Sequence, residues 1–262
     1  MWRKMLIVAT RADLSQQVAQ AHAGLGLCLY RAARLDEAVE FLEQAAKVSG
    51  ADRIALSGLA EIAGLRGDHA LSLSLFDRLA RLPPISQHGD ERQHQAIVSL
   101  GRARAFLELG RYEEASEQLS RADTHFPHGS RMRIWCAATR ALLEARLGQK
   151  ENARSIVVAL LRRLPSSSND RSTLTSVAGA AAWTWLALGE YAKGREAAAR
   201  YFAARPDPVW RPRIEYCDGL CALGLGDREA AVAAFRRAAA VSTQLDYARK
   251  AQKKLDEISA AT

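Results

Sequence analysis

An all-α fold of stacked helical hairpins is what this sequence predicts, and three observations carry the prediction. Alanine fills 50 of the 262 positions, and alanine is both the best helix former and small enough to let helices pack closely. Pro and Gly number only 7 and 17, too few for a collagen-like or Pro-rich chain. A helix, turn, helix pattern recurs six times around the turn residues Ala33, Gly67, Gly110, Gly148, Gly189 and Gly226.

The pattern keeps its register on both sides of each turn. Two residues on comes a position that opens the next helix: Leu35, His69, Tyr112, Lys150, Tyr191 and Arg228. Three further on the side chain is small (Ala38, Ser72, Ala115, Ala153, Gly194, Ala231), as a close helix crossing requires. Four residues beyond, Leu42, Phe76, Leu119, Val157 and Phe235 keep an apolar stripe on the same helical face, with Ala198 the smaller exception. Before each turn, Gly26, Ala60, Ala103, Ala141, Ala182 and Gly219 repeat the small-residue rule, and Pro84, Pro127, Pro165 and Pro206 follow four of the units.

These positions resemble the tetratricopeptide repeat, a helical hairpin of about 34 residues with small residues at its eighth and twentieth positions and often Pro at the thirty-second. The resemblance covers about residues 19 to 245. It implies a single right-handed superhelical solenoid over residues 1–262, elongated, with repeats near 19–52, 53–86, 96–129, 134–167, 175–208 and 212–245. The stretches PISQHGDERQHQ, HFPHGSRMR and PSSSNDRSTL are expected to be loops between hairpins, since the period resumes after each. Each hairpin buries its apolar face only against a neighbour, so both ends need covers. Residues 246–260 form the C-terminal cap, with Leu245, Ala248, Ala251, Leu255 and Ile258 at helical intervals, and Met5, Val8 and Leu14 face inward near the N-terminus.

Chemistry that would mark an enzyme is missing, and no cofactor or metal site is expected. The six histidines lack the convergent partners of a metal or nucleophile site. His22 and His69 read as packing or groove-wall residues, and His125 and His128 as exposed loop. Cys217 and Cys221 share a helix face but have no second pair to complete a zinc set. No Gly-rich phosphate loop is present, and Glu113 with Glu114 opens a helix, where its dipole favours carboxylates. The apolar run at the N-terminus, Met5 to Thr10, is shorter than a signal-peptide core, and four cysteines without framework spacing suit a reducing, cytoplasmic setting. The net charge is +8, but acidic residues are interleaved with the arginines, so nucleic acid is not the expected partner.

In the family, the first helix of each hairpin lines a concave surface that receives ligands. Carried onto this register, the resemblance gives Tyr30, Glu61, Arg104, Trp135, Arg146, Trp183, Arg213 and Tyr216 as the candidate peptide-binding groove. The groove is expected to be aromatic and basic, taking an acidic and apolar peptide or helix, with Arg pairing carboxylates through its rigid fork. Trp185 falls on a buried position, Trp183 is open between core and contact, and Trp210 lies in a loop, as an anchor or a contact. The clamp that some members use for chaperone tails is not matched, because Ala23, Leu27 and Gly58 stand at its positions. A non-catalytic adaptor or chaperone-like module is the leading functional expectation. A sensor or regulatory component of a bacterial signalling or secretion system, a self-assembling scaffold and an enzyme of unrecognised type are the alternatives.

Overall fold

The structure, a computed structural model, describes residues 1–11, 14–48, 51–83, 88–126, 130–163 and 171–260. Among them are fourteen α-helices, one short 3-10 turn at Pro208–Trp210, and no strand. Six antiparallel hairpins follow α1 (Trp2–Arg11). They are α2 (Ser15–Arg31) with α3 (Leu35–Ala45), α4 (Asp52–Leu65) with α5 (His69–Ala80), and α6 (His88–Glu108) with α7 (Tyr112–His125). The series continues with α8 (Arg131–Arg146) and α9 (Lys150–Arg163), α10 (Arg171–Ala187) and α11 (Tyr191–Ala203), and α12 (Arg211–Gly224) and α13 (Arg228–Ala239). Helix α14 (Asp246–Ala260) ends the series.

The six predicted turn residues stop the first helix of each pair in the same way. Ala33, at φ 61°, and the five glycines, at φ 73° to 83°, all adopt the left-handed conformation. The next amide then reaches back to a free helical carbonyl, as from Arg34 to Leu29 (3.0 Å), Asp68 to Ala63 (2.9 Å) and Asp227 to Ala222 (3.0 Å). Asp68 and Asp227 also start the following helix, each carboxylate accepting a 2.9 Å bond from the amide three residues on.

Packing inside each hairpin uses the predicted small residues. Ala38, Ala153 and Ala231 are 0% exposed and Ala115 is 1% exposed, and a Cβ placed on Gly219 would lie 2.5 Å from the Phe235 ring. Helix backbones therefore approach where the sequence keeps volume low, and the larger residues Leu42, Leu119, Val157 and Phe235 fill the space beside them. At the N-terminus the Trp2 ring lies against Gly24 of α2, and Met5 is half-buried. Leu14 is exposed instead of facing inward, because it caps α2 from outside the α1–α2 contact, and the Val8 side chain lies outside the described set.

Two further expectations need correction. Residues 88–95 are the first turns of α6, 131–133 of α8 and 171–174 of α10, and not loop, and half-buried His125 is the last residue of α7. Gln95 donates to Glu91 one turn back (3.0 Å), and buried His94 bonds the Leu79 carbonyl of α5 (3.2 Å), so tertiary contact holds polar residues helical. Pro84, Pro127 and Pro165 lie outside the described residues.

The array is also not an open, elongated spiral. Ala251, Leu255 and Ile258 of α14 cover the last hairpin as predicted, with Phe235 and Ala238. Leu245 and Ala248, however, pack with Val209 into the core of the first hairpins, beside Ala19, Tyr30, Leu35 and Ile62. Gln244 donates to Asp36 of α3, Asp36 also holds Arg66 at 2.6 Å, and Arg249 donates to the Arg66 carbonyl at 2.7 Å. The C-terminal cap thus clasps the beginning of the array.

Gly67 sits under this clasp, where an added Cβ would stand 3.0 Å from the Asp246 carboxyl carbon, whereas Gly148 has open space around it. Both Gly→Ala changes carry the left-handed backbone penalty of about 1–2 kcal/mol, so the Gly67 variant is expected to lose more stability in urea titrations. Ala115→Leu is expected to cost about 1–3 kcal/mol by overpacking, while Glu113→Ala on the exposed face stays within about 0.5 kcal/mol. Equal midpoint shifts for that pair would contradict the helix register.

Candidate concave-face cavity

The first helices of all six hairpins, α2, α4, α6, α8, α10 and α12, contribute to a central cavity of about 430 Å³. Because their outer faces are taken by α3, α5, α7, α9, α11 and α13, their remaining polar and aromatic positions turn inward. Trp210 and Tyr247, from the 3-10 turn and the clasp helix, close the other side.

The most heavily bonded group there is Glu108 of α6. Its carboxylate accepts from Arg213 of α12 (2.9 Å) and from the Tyr247 hydroxyl of α14 (3.1 Å). Burial alone would push the Glu108 carboxyl up, but the Arg213 guanidinium and the Tyr247 hydroxyl outweigh it and hold the group below its ordinary value. Arg213 lies over both the Trp183 ring (5.6 Å) and the Tyr247 ring (5.7 Å), and burial raises the Tyr247 phenol. This cluster joins α6, α10, α12 and α14 in one contact.

A second charged pair faces the cavity with looser geometry. Glu61 of α4 and Arg104 of α6 stand 3.7 Å apart, and Arg104 lies 5.9 Å over the Trp135 ring. Beside them Tyr30, nine-tenths buried, meets Trp210 edge to face at 6.1 Å between ring centres. Burial, then the Glu61 carboxylate, raise the Tyr30 phenol well above its ordinary value, against a smaller opposing pull from Arg104. At the rim Arg31 and Asp207 make a long 4.0 Å pair between α2 and the segment before the 3-10 turn.

Of the sequence-predicted residues, Tyr30, Glu61, Arg104, Trp135, Trp183 and Arg213 come together as cavity lining. Arg146 and Tyr216 do not. Arg146 is exposed at the last turn of α8, whose C-terminal end has passed the lining. Tyr216 sits between Trp183, Phe235 and Tyr247, packing α12 to the clasp. The expected basic character is corrected as well, because Arg104 and Arg213 each face a carboxylate of the same chain.

Trp183 is 6% exposed and Trp185 3% exposed, so both are largely buried, but Trp183 also borders the cavity. Glu108 lay on a concave position of the register, yet its role depends on Tyr247, which belongs to no repeat. The loop segment ARPDPVWRPR left Trp210 open, and the structure makes it an anchor against Tyr30. His69 also lines the cavity.

Other candidate chemistry stays inside the scaffold. Burial pushes the Cys136 thiol up to about 12. It also raises the Cys217 thiol, which bonds Cys221, so Cys136 and Cys217 are far from reactive thiolates. Among the described residues no three His, Cys, Asp or Glu side chains gather as a metal site. No described helix is long and apolar enough to cross a membrane.

The architecture is that of a helical-repeat solenoid with a lined concave face, and residues 4–52 match the tetratricopeptide repeat family. The whole chain has that fold. A tetratricopeptide repeat protein from Parabacteroides merdae aligns over 96% of this chain and 90% of its own, at 15% identity and a TM-score of 0.61. A chain of the APC/C hetero-tetramer Cut9-Hcn1 aligns over 97% of this chain at 14% identity and a TM-score of 0.60, with 46% of that chain covered. This chain spans about half the length of the latter. No curated protein matches it in sequence. Its fold is that of tetratricopeptide-repeat proteins.

The Glu108 cluster has a pH signature. Its lowered folded value means that its stabilising contribution is complete above the ordinary glutamate value of 4.5 and is lost as the pH falls through the lowered value. Glu108→Gln is expected to cost about 1–3 kcal/mol at neutral pH and to remove that part of the decline. Urea unfolding of both proteins between about pH 3 and 7 measures it, and parallel curves would place the acid sensitivity elsewhere.

Proposed function

We propose that this chain is a non-catalytic adaptor that holds a short peptide segment of another protein against its concave face. One observation supports this reading most: first helices from six successive hairpins line a single cavity, and α2, α8 and α10 bring Tyr30, Trp135 and Trp183 to it. Aromatic rings supply large contact area at small entropic loss, the property that concentrates binding energy in a few residues. The clasp across the concave side favours an extended segment over a helix, whose diameter is about 10–12 Å. Since the interior arginines already face carboxylates, an apolar anchor carries more of the affinity than acidic residues do.

A cytoplasmic setting, suggested by the thiols, belongs to the same proposal. Regulatory sensing and self-assembly are the competing uses of such a scaffold.

Isolation of the tagged chain from its native host, followed by identification of what co-purifies, is the first test. Peptides from the partner then serve as probes. Trp135→Ala is expected to weaken binding at least tenfold at both low and high salt, since aromatic burial is not screened, while Arg146→Ala leaves it unchanged. Recovery of the chain alone would favour self-assembly. Full affinity in a folded Trp135→Ala protein would move the binding surface off the concave face.

A further inference from the structure

The Glu61–Arg104 pair differs from the other ion pairs that join successive hairpins. Arg140 donates to Asp123 at 2.8 Å, Arg154 to Glu190 at 2.7 Å, and Arg195 to Asp218 at 3.1 Å. Glu61 and Arg104 are also brought together from adjacent hairpins, and their side chains are only 29% and 36% exposed. Yet they stop at 3.7 Å, beyond hydrogen-bond distance. Among the described residues neither makes a hydrogen bond, nor does the hydroxyl of Tyr30, which is 8% exposed. A carboxylate, a guanidinium and a phenol therefore border one cavity without hydrogen bonds to other described side chains.

Groups so placed can bond a molecule that enters the cavity without first breaking a hydrogen bond within the protein. The partner's chemistry follows from what is offered. A purely anionic ligand would satisfy Arg104 and repel Glu61, and a purely cationic one would do the reverse. The internal backbone of a passing peptide strand offers only neutral amides, so a peptide would need charged side chains of both signs at this point. The complement is a molecule with an ammonium and a carboxylate on one carbon, so that both charges fit within a few ångströms. Trp135 under Arg104 and Trp210 against Tyr30 add flat apolar surface beside the charges. The cavity volume of about 430 Å³ falls in the range of small-molecule sites, about 300–1,000 Å³.

We propose that the Tyr30–Glu61–Arg104 cluster is a binding site for a free α-amino acid with an aromatic or large apolar side chain. Its ammonium pairs with Glu61, its carboxylate with Arg104, and its side chain lies against Trp135 and Trp210. This does not depend on the adaptor reading. The two are linked only in that both occupants use the concave side, so the amino acid competes with a partner's peptide.

Calorimetric titration of the full chain with L-phenylalanine, L-tryptophan and L-leucine tests the site, with thermal unfolding as a second readout. At least one of the three is expected to bind with one molecule per chain and to raise the unfolding temperature. N-acetyl-phenylalanine, which lacks the cation, and phenylalaninamide, which lacks the anion, are expected to bind at least tenfold more weakly than phenylalanine. Glu61→Gln and Arg104→Gln, each checked for unchanged helicity, should separately weaken binding at least tenfold. The milder Tyr30→Phe keeps the ring contact and should weaken it severalfold. Absence of binding by all three amino acids at millimolar concentration would overturn the proposal. So would equal binding of either singly charged analogue, or full affinity in both folded charge variants. A partner peptide that binds normally while the amino acids do not would leave the adaptor reading standing and remove only this one.

Discussion

A single carboxylate, Glu108, organises the closed form of this solenoid. It projects from α6 into the space enclosed by the first helices, where a charge needs partners. Those partners come from elements far along the chain, Arg213 on α12 and Tyr247 on α14. Satisfying the carboxylate therefore draws the last hairpin and its cap across the concave side. Trp183 and Tyr247 flank the Arg213 guanidinium, and the position of Tyr247 carries Leu245 and Ala248 into the core of the first hairpins. The boundary of the cavity is thus set by charge satisfaction as much as by repeat geometry.

The repeat geometry itself rests on volume. Where α12 crosses α13, Gly219 meets the Phe235 ring, and where α2 crosses α3, Gly26 meets Leu42. Close crossings consume the apolar outer faces of the first helices and leave their inner faces free to carry Tyr, Trp, Arg and Glu without loss of core. This division explains how a chain so rich in alanine still concentrates aromatic and charged side chains at its centre. It also explains why the interior is electrically balanced: each charge turned inward has to be met by another chain element or by something that enters.

The fold was legible because its determinants are local. Turn residues such as Gly67 and Gly226, caps such as Asp68 and Asp227, and small positions such as Ala38 and Ala115 each act within one hairpin, so spacing along the chain exposes them. The site was legible only in part. Register brought out Tyr30, Glu61, Arg104, Trp135, Trp183 and Arg213, since they occupy equivalent inward positions in successive hairpins. It misplaced Arg146, one turn too far along α8, and assigned Tyr216 to the groove when its ring serves the clasp. Tyr247 stayed hidden, and Trp210 stayed open between anchor and contact, because their roles depend on curvature summed over the whole array, which no single repeat encodes. The helical start of α6 was missed for a similar reason, as His94 is held by the neighbouring α5 and not by local propensity.

The bond from Gln244 to Asp36 joins residues 208 positions apart. Repeat arrays ordinarily hold together through nearest neighbours, so that an end unit can peel away while the middle persists. Here the first hairpin is tied to the C-terminal segment as well as to its neighbour. Detaching the first hairpin exposes Leu245, Ala248 and Val209 along with its own core, coupling the termini into one cooperative unit. The entropy of joining such distant segments rises only slowly with separation, by about 0.6 kcal/mol per doubling, once the intervening hairpins have shortened the path. Closure thus adds a long-range tie to an array whose other contacts run mainly between neighbours.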